Sequence, residues 1–477
     1  MKDTSNAPAK LGEKKHKFSL PDTLVLLIFI VIVAGILTYI VPAGSFERIF
    51  DEGTGRDLVQ AGTYATIDKT PVNLFAMFTA IPQGFIEAGS IIALVLIVGG
   101  SFGIINATGA LNALLGSLMK KMNYKRSYIV ALAIMALMAV MGIALGAAEL
   151  LLPFIPLVAT ICFAMGYDSM TAIGIVLIGG GAGFAGTCMS PSTVAIPQAI
   201  AELPLYSGMW LRLIGFALFF CVGVLFVFRY MRKIKGNPQL SCMYETDKTS
   251  SYEINEDEIP EFNSQRKLIV LLFALGLISM IFCILKFSFE INQITAYYML
   301  IAIVCGVAAG FSPDKMCKEF ISGAKGMLYS AMIIGAARAI SVVMTQGNIL
   351  DTITYYASGI VEGMPTSVKA VGMFIVQDIL NVVIPSGSGQ AVVTMPIMVP
   401  IADLVGLTRQ TAVLAFQYGD ALTNLITPTS GYFMAALAMC NIPWSKWIKW
   451  FLPLYLLWVV IACIILIIAT AANFGPF

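Results

Sequence analysis

Long apolar runs alternate with short polar segments along almost the whole chain. The runs that we predict as single membrane spans are Leu24–Val41, Ile86–Asn106, Met209–Phe228, Leu268–Leu285, Thr295–Phe311 and Leu328–Met344. A helix needs roughly 20 apolar residues to cross a bilayer, and with the remaining apolar stretches the chain holds about ten such membrane elements. We therefore predict an all-α polytopic membrane protein.

Four further apolar stretches are interrupted by small or polar residues. The interruptions lie at Gly146–Glu149, Gly179–Thr193, Pro385–Gln390 and Thr423–Ser430. Unpaired backbone groups are costly in hydrocarbon, so irregular backbone at membrane depth is tolerated only inside protein or beside a water-filled cavity. We predict the first and third interruptions as tips of re-entrant helical hairpins, and the second and fourth as breaks within helices. Together they indicate a polar site near the membrane midplane.

The second half of the chain repeats the first. Placing Pro156 on Pro396 puts Gly146 on Ser386, and after a short gap SPST at 190–193 aligns with TPTS at 427–430. An internal repeat of this size is typical of transporter folds. We predict a cytoplasmic tail at residues 1–23, a first transmembrane repeat at 24–232, a cytoplasmic linker at 233–265 and a second repeat at 266–477.

The two repeats are predicted to have inverted topology. The second half carries one span that the first lacks, Thr295–Phe311, which reverses its direction through the membrane. Most of the 29 Lys and Arg residues then fall in cytoplasmic loops, as the positive-inside rule requires. We expect a multi-pass protein of the cell membrane, with its N-terminus in the cytoplasm and its C-terminus outside. Inverted repeats with broken helices are the usual plan of secondary transporters.

Composition excludes several other classes of protein. Of all residues 58% are hydrophobic and 12% are charged, which leaves no room for a soluble catalytic domain. A soluble protein carries about 25% charged residues. The nine cysteines have no CxxC spacing and His16 is the only histidine, so no metal site is predicted. The expected partners are the lipid bilayer and a small-molecule amino acid or carboxylate, with no nucleic acid and no cofactor apart from a coupling Na⁺ or H⁺.

The polar residues of the interruptions are the candidate substrate-binding groups. Helix N-termini attract carboxylates, and carbonyl groups at helix C-termini coordinate cations. The candidates are Thr187, Ser190, Ser192, Thr193, Ser386, Ser388, Gln390, Thr423, Asn424, Thr427, Thr429 and Ser430. The alternative for any one of them is that its side chain satisfies nearby backbone groups.

Ionisable residues at membrane depth mark a pathway or a buried ion pair. The predicted set is Glu149 at the first tip, Arg338, Asp378 and Asp420. Three carboxylates against one arginine favour a cationic ligand, a coupling ion or a carried proton. The alternative is that Arg338 pairs with Asp378 or Asp420 and holds helices together. Glu149 has no evident partner and is predicted to contact a cationic group or a proton. Glu87, near a predicted helix end, is expected to be solvated.

The stretches NVVIPSGSGQAVVTMPIMVPIADLVGLTRQTAVLAFQYGDALTN and GTCMSPSTVAIPQA resemble the C4-dicarboxylate anaerobic carrier family. Within that family the chain is similar to the YfcC-like branch of basic amino acid antiporters, which is associated with arginine and ornithine exchange. The resemblance covers essentially the whole chain. It implies the inverted repeats of the wider ion transporter superfamily, a homodimer, and elevator-like movement of a transport region.

Three functions follow from these observations. An arginine/ornithine antiporter uses both kinds of polar helix end, because an amino acid carries a carboxylate and cationic groups. A C4-dicarboxylate transporter coupled to Na⁺ or H⁺ is the alternative of the same class. From another class, Tyr167-Asp168 and the QYGD sequence at 417–420 faintly resemble the paired aspartates of intramembrane proteases. That alternative leaves the repeat unexplained, so we predict a transporter rather than an enzyme.

Overall fold

The computed structural model describes residues 23–51, 56–119, 124–146, 148–247, 260–287, 289–362 and 364–475. The predicted cytoplasmic tail before Thr23, and residues 248–259 of the predicted linker, lie outside the described residues. The described chain is built almost entirely of helices, which confirms the predicted all-α fold.

The described residues of the first half form nine α-helices and two shorter helical turns. The helices are α1 Thr23–Ile40, α2 Leu74–Glu87, α3 Gly89–Ala107, α4 Ala110–Met119, α5 Tyr124–Leu145, α6 Ile155–Ala164, α7 Ser169–Ala185, α8 Ile196–Ile200 and α9 Met209–Gly236. A 3₁₀ helix, Ala148–Phe154, leads into α6, and a π-helical turn, Pro191–Ala195, leads into α8.

The second half follows the same order after a short connection. A 3₁₀ turn, Pro238–Leu240, and α10 Tyr244–Asp247 belong to that connection. The later helices are α11 Ser264–Phe287, α12 Ile291–Ala308, α13 Pro313–Gly326, α14 Leu328–Gln346, α15 Leu350–Glu362, α16 Thr366–Val383, α17 Gly387–Leu404, α18 Arg409–Thr423, α19 Gly431–Met439 and α20 Trp444–Ala471.

Seven helices among the described residues are long and apolar enough to cross a membrane: α1, α3, α9, α11, α12, α14 and α20. The predicted hairpins are also present, as α5 with α6 and as α16 with α17. The interruption predicted at Gly179–Thr193 is shorter than expected, because helix α7 continues to Ala185. Gly179 and Gly183 bring the backbones of α5 and α7 together, since an added Cβ would meet carbonyl groups of α5.

The two halves pack across each other in matching ways. Helix α3 packs against α12 and α13, and its counterpart α14 packs against α1 and α2. Both crossings rely on glycine, because a Cβ at Gly84 would collide with the backbone at Gly335, and one at Gly323 with the backbone at Gly99. Helices α7 and α18 are buried along their whole length, as expected for helices at the centre of a bundle.

The described part of the loop between α1 and α2 contains four short strands. They are β1 Gly44–Ser45, β2 Arg48–Asp51, β3 Arg56–Val59 and β4 Ala65–Thr66, paired antiparallel as β1 with β4 and β2 with β3. Arg48 Nη2 donates to Asp351 Oδ1 at 2.8 Å, which attaches this loop to α15.

The start of each central helix is held by the segment that follows the last helix of its own half. At α7, the Asp247 carboxylate accepts hydrogen bonds from the Ser169 backbone N–H at 2.9 Å and from Ser169 Oγ at 2.8 Å. Ser241 Oγ donates to Asp168 Oδ2 at 2.6 Å. At α18, Thr408 Oγ1 donates to the Phe474 carbonyl at 2.8 Å. Part of the predicted linker is therefore docked onto the first half.

Candidate substrate-binding cavity

A cavity of about 330 Å³ lies where the two hairpin tips meet. The first tip contributes Glu149, the second contributes the segment Pro385–Ser388, and the start of α19 and one face of α14 complete the wall. A cavity of this volume accommodates a small metabolite. The two hairpins and the two broken helices, which are far apart in the chain, thus enclose one site.

Hydroxyl groups of the first broken helix hold the tip of the first hairpin. Ser190 Oγ and Ser192 Oγ each lie 3.4 Å from the Gly146 carbonyl, to which they donate. Thr187 Oγ1 donates to the Ile143 carbonyl at 2.6 Å. Gly146 has a φ of +56°, and a Cβ there would collide with Ser190, so this turn requires glycine. These hydroxyls satisfy the last carbonyl groups of α5.

The second tip presents the N-terminus of α17 to the cavity. Ser386 caps this helix by accepting a hydrogen bond from the Gly389 backbone N–H at 3.3 Å. Thr429 Oγ1 donates to the Val382 carbonyl at 2.7 Å and so satisfies the end of α16. A helix N-terminus carries a partial positive charge and unpaired N–H groups, which makes this wall suitable for an anion.

A second N-terminus, that of α19, lines the same cavity. Ser430 occupies the N-cap position but makes no capping hydrogen bond. Its Oγ atom is buried and has no hydrogen-bond partner among the described residues. The wall formed by the second half is therefore rich in polar groups that remain available to a ligand.

Glu149 places a carboxyl group on the opposite wall. The described residues contribute no ion pair and no other side chain hydrogen-bonded to its carboxyl group. An unpaired carboxylate at membrane depth is costly unless a ligand or a proton compensates it. The cavity therefore carries an acid on its first-half side and two helix N-termini on its second-half side.

The partner of Arg338 differs from the one that we predicted. Arg338 Nε donates to Glu87 Oε2 at 2.9 Å, and neither Asp378 nor Asp420 pairs with it. Glu87 is exposed at the end of α2, as predicted, and it also lines the cavity, which was not predicted. Helices α2 and α14 approach closely at Gly84, which brings the two side chains within reach of each other. Their distant positions in the sequence gave no direct signal of this pair.

The other two predicted carboxylates lie behind the second tip. Asp420 Oδ1 accepts hydrogen bonds from Asn381 Nδ2 at 2.8 Å and from Asn424 Nδ2 at 3.1 Å. Three oxygens of this cluster, Asp420 Oδ2, Asn381 Oδ1 and Asn424 Oδ1, are buried without a partner among the described residues. Asp378 accepts hydrogen bonds from Thr423 and, at 2.7 Å, from Tyr455 Oη, so it joins α16 to α18 and α20.

Arg212 is a buried arginine that the sequence analysis did not single out. Its side chain is fully buried at the start of α9, and Nε donates to Gln417 Oε1 at 2.7 Å. Gln417 Nε2 in turn donates to the carbonyl groups of Ala185 and Thr187, at 2.9 and 2.8 Å. Arg212 and Gln417 join α18 to the break of the first half.

The profile of the C4-dicarboxylate anaerobic carrier family matches residues 20–471, which is nearly the whole chain. The chain belongs to this family. Together with the seven candidate spans, the match makes it a multi-pass membrane transporter. The cavity between the two hairpins is its candidate substrate site.

Two relatives share similar levels of identity with this carrier. A Haemophilus influenzae protein without an assigned function is 29% identical over 501 residues, covering 96% of this chain and 97% of that protein. YfcC of Escherichia coli, whose name proposes a basic amino acid antiporter, is 29% identical over 472 residues, covering 91% of this chain and 93% of YfcC.

Two solved transporters are similar over most of their length. The Alcanivorax borkumensis YdaH transporter has a TM-score of 0.43 and 16% identity, covering 96% of this chain and 100% of that one. MtrF of Neisseria gonorrhoeae, described within a class of antimetabolite efflux pumps, has a TM-score of 0.41 and 18% identity, covering 96% of this chain and 98% of MtrF.

Half of the predicted site residues line the cavity of this carrier. They are Glu149, Ser192, Arg338, Ser386, Ser388, Asn424, Thr429 and Ser430. The others support it from outside the wall: Thr187, Ser190, Thr193, Gln390, Thr423, Thr427, Asp378 and Asp420. Sequence reasoning missed Glu87, Ile334 and Tyr432 as lining residues. The position of Glu87 between two apolar segments was the signal that could have found it.

The aspartates of the protease alternative lie in separate networks. Asp168 caps the start of α7 and accepts hydrogen bonds from Thr171, Tyr230 and Ser241. Asp420 lies near the end of α18, and its partners are the two asparagines. An aspartyl protease needs two carboxylates that share one proton. These two share no hydrogen-bond partner, so the structure offers no support for that chemistry.

Proposed function

We propose that this carrier exchanges basic amino acids, such as arginine for ornithine, across the cell membrane. The observation that carries the proposal is the unpaired Glu149 carboxylate, which faces helix N-termini across one cavity. A basic amino acid has a carboxylate for the N-termini and a distal cationic group for Glu149. The name of the YfcC relative supports the same class of substrate.

The cavity favours such a substrate over a C4-dicarboxylate. A dicarboxylate has two anionic ends, and one of them would approach Glu149, where like charges repel. It would be accommodated only if a proton or a cation neutralised that carboxyl group. The family's description nevertheless makes the dicarboxylate the alternative that the experiment has to exclude.

Uptake into liposomes tests the proposal. The purified carrier is reconstituted into liposomes loaded with ornithine, with succinate or with buffer alone, and uptake of labelled arginine is followed without ion gradients. We expect uptake that requires internal ornithine and is absent with internal succinate. Failure of arginine uptake under all three conditions, together with succinate exchange, would establish the dicarboxylate alternative instead.

We further propose that the cluster around Asp420 is where a coupling Na⁺ or H⁺ would bind, if transport uses one. Three buried oxygens of this cluster, on Asp420, Asn381 and Asn424, have no hydrogen-bond partner among the described residues. The three side chains lie together, because both asparagines donate hydrogen bonds to Asp420. Buried polar groups are nearly always paired, so such a cluster calls for a ligand. The thermal stability of the detergent-solubilised carrier should rise with NaCl over KCl, or depend on pH, and Asp420→Asn should remove the effect.

We retain three further features as proposals. The carrier works by alternating access with elevator-like movement, it forms a homodimer, and its C-terminus lies outside the cell. The odd number of additional spans in the second half supports the orientation. Multi-angle light scattering tests the dimer, and labelling of a cysteine placed at Asn473 with a membrane-impermeant reagent tests the orientation.

A further inference from the structure

The guanidinium group of Arg338 is held from one side. Nε donates to Glu87 Oε2 at 2.9 Å, while Nη1 and Nη2 have no hydrogen bond or ion pair with any described residue. The Arg338 side chain is 40% exposed, and it borders the cavity. The two terminal amino groups of an arginine form a planar fork that matches a carboxylate. Here that fork is unoccupied by protein groups.

Glu87 is itself held in place. Its second oxygen, Oε1, lies 3.4 Å from Gln83 Nε2, one helical turn earlier in α2. The close approach of α2 and α14 at Gly84 fixes the distance between the helices that carry Glu87 and Arg338. Glu87 therefore orients Arg338 while leaving its terminal amino groups available.

The face of α14 that carries Arg338 lies beside the N-terminus of α19. Ile334, four residues earlier and on the same face, packs against Gly431, where an added Cβ would lie 3.6 Å from Ile334 Cγ2. Next to Gly431, the Ser430 hydroxyl is buried, borders the cavity and has no partner among the described residues. An arginine fork, an uncapped helix N-terminus and an unpartnered hydroxyl thus face one region of the cavity.

We propose that Arg338 and the N-terminus of α19 bind the carboxylate of the transported molecule, and that Glu87 is a positioning residue for Arg338. This inference rests on the proposed function and adds an orientation to it. The carboxylate of the amino acid lies toward α14 and α19, and its distal cationic group lies toward Glu149. The site then distinguishes an amino acid from the amine that lacks only the carboxylate.

Competition between arginine and agmatine, which is arginine without its carboxylate, tests this orientation. In ornithine-loaded liposomes, the wild-type carrier should prefer arginine over agmatine. Arg338→Gln should reduce arginine uptake about 10- to 100-fold, the range for a lost hydrogen bond to a charged group, and should leave agmatine competition unchanged. Arg338→Lys keeps the positive charge but lacks the planar fork. Its arginine uptake should lie between those of the wild type and of Arg338→Gln.

Glu87→Gln separates positioning from direct binding. This variant should raise the KM for arginine while retaining a preference over agmatine, because the fork is still present. Arg48→Gln is the matched control, since Arg48 is also ion-paired and is 41% exposed, but lies away from the cavity. It should transport like the wild type. Size-exclusion profiles of all variants verify that they fold.

The possible failures are distinguishable. If the wild type transports arginine and Arg338→Gln keeps the wild-type preference over agmatine, the carboxylate assignment is wrong and the proposed function stands. If the wild type transports succinate and not arginine, the proposed function fails. The same variants then test the carboxylate assignment on succinate, whose uptake Arg338→Gln must abolish. Succinate uptake that survives this substitution would overturn the assignment.

Discussion

The two hairpin tips are related by the internal repeat, yet they have opposite chemical character. The first ends in a glycine turn and a 3₁₀ helix that places Glu149 in the cavity. The second ends in a serine-capped α-helix whose N-terminus faces the same space. One repeat therefore supplies an acidic wall and the other a wall that favours anions. The two repeats share one architecture, and the residues at their tips give the cavity two walls of unlike chemistry.

The two breaks differ in a similar way. In the second half, Trp444 Nε1 and Trp447 Nε1 donate directly to the Ile426 and Leu425 carbonyl groups, at 2.8 and 2.9 Å. In the first half, Gln417 performs this role and is itself held by Arg212. The fourth residue of α20 is thus an indole, whereas the fourth residue of α9 is a buried guanidinium. A buried guanidinium group therefore supports the first break, whereas indole N–H groups hold the carbonyl groups at the second.

Removing the acid of the first tip should have the largest effect. Glu149→Gln should lower arginine uptake by about 100-fold, because an uncharged amide replaces the partner of the cationic group. Thermal stability should change little, since no described side chain pairs with Glu149. Uptake kinetics measured across pH check this, with Glu202→Gln, a 79% exposed glutamate, as the control. If Glu149→Gln transported arginine with the wild-type rate and affinity at every pH, the assignment of Glu149 to the cationic group would be wrong.

The buried charge at the first break should matter most for stability. Arg212→Met should destabilise the carrier by about 3 kcal/mol, because it leaves the buried Gln417 Oε1 without a donor among the described residues. Unfolding in mixed micelles measures this, and Arg409→Met, which removes a more exposed ion-paired arginine, is the matched control. Equal stability of the two variants would show that the first break does not depend on its charge.

The turns at the two tips should respond unequally to alanine. Gly146→Ala introduces a Cβ at positive φ against Ser190 and should cost about 2 kcal/mol. Ser386→Ala removes only a helix cap and should cost about 1 kcal/mol. Unfolding in mixed micelles measures both costs. A larger cost for Ser386→Ala would mean that the second tip, and not the first, is the more constrained turn.

The smallest effect concerns the segment docked at the start of α7. Burial raises the pKa of Asp247 to about 6, although hydrogen bonds from Ser169 act in the opposite direction. A carboxyl group with a raised pKa binds a proton more tightly when docked, so docking should strengthen as the pH falls from 7 toward 5 and weaken as it rises. Hydrogen exchange of residues 237–247 measures this.

Asp247→Asn provides the control for the pH dependence. The amide keeps an acceptor for Ser169 and has no carboxyl group to titrate. The protection factors of residues 237–247, which are exchange rates corrected for the intrinsic pH dependence of exchange, should therefore be independent of pH in this variant. The C-terminal contact between Thr408 and Phe474 contains no titrating group and should be insensitive to pH in both proteins. If this contact changed in parallel, the effect would not belong to Asp247.

Local sequence signals predicted the positions of helices and hairpins better than they predicted which helices and side chains are in contact. The apolar runs located the spans, since each is long enough to cross a bilayer by itself, and the alignment of Pro156 with Pro396 located both hairpins. The glycines at 179–183 misled the analysis, because the same residue type serves to break a helix or to let two helices touch. Only the contact with α5 distinguishes these roles.

The sequence by itself determined that this chain is a helical membrane carrier with two repeated halves and polar breaks at membrane depth. Hydrophobic length and repeat spacing are properties of neighbouring residues, and bilayer thickness converts them directly into structure. The tertiary structure decided which charges meet. Glu87 and Arg338 are 251 residues apart, and they pair because α2 and α14 cross at glycine. An ion pair depends on a few ångströms between distant segments, and no local pattern encodes that distance.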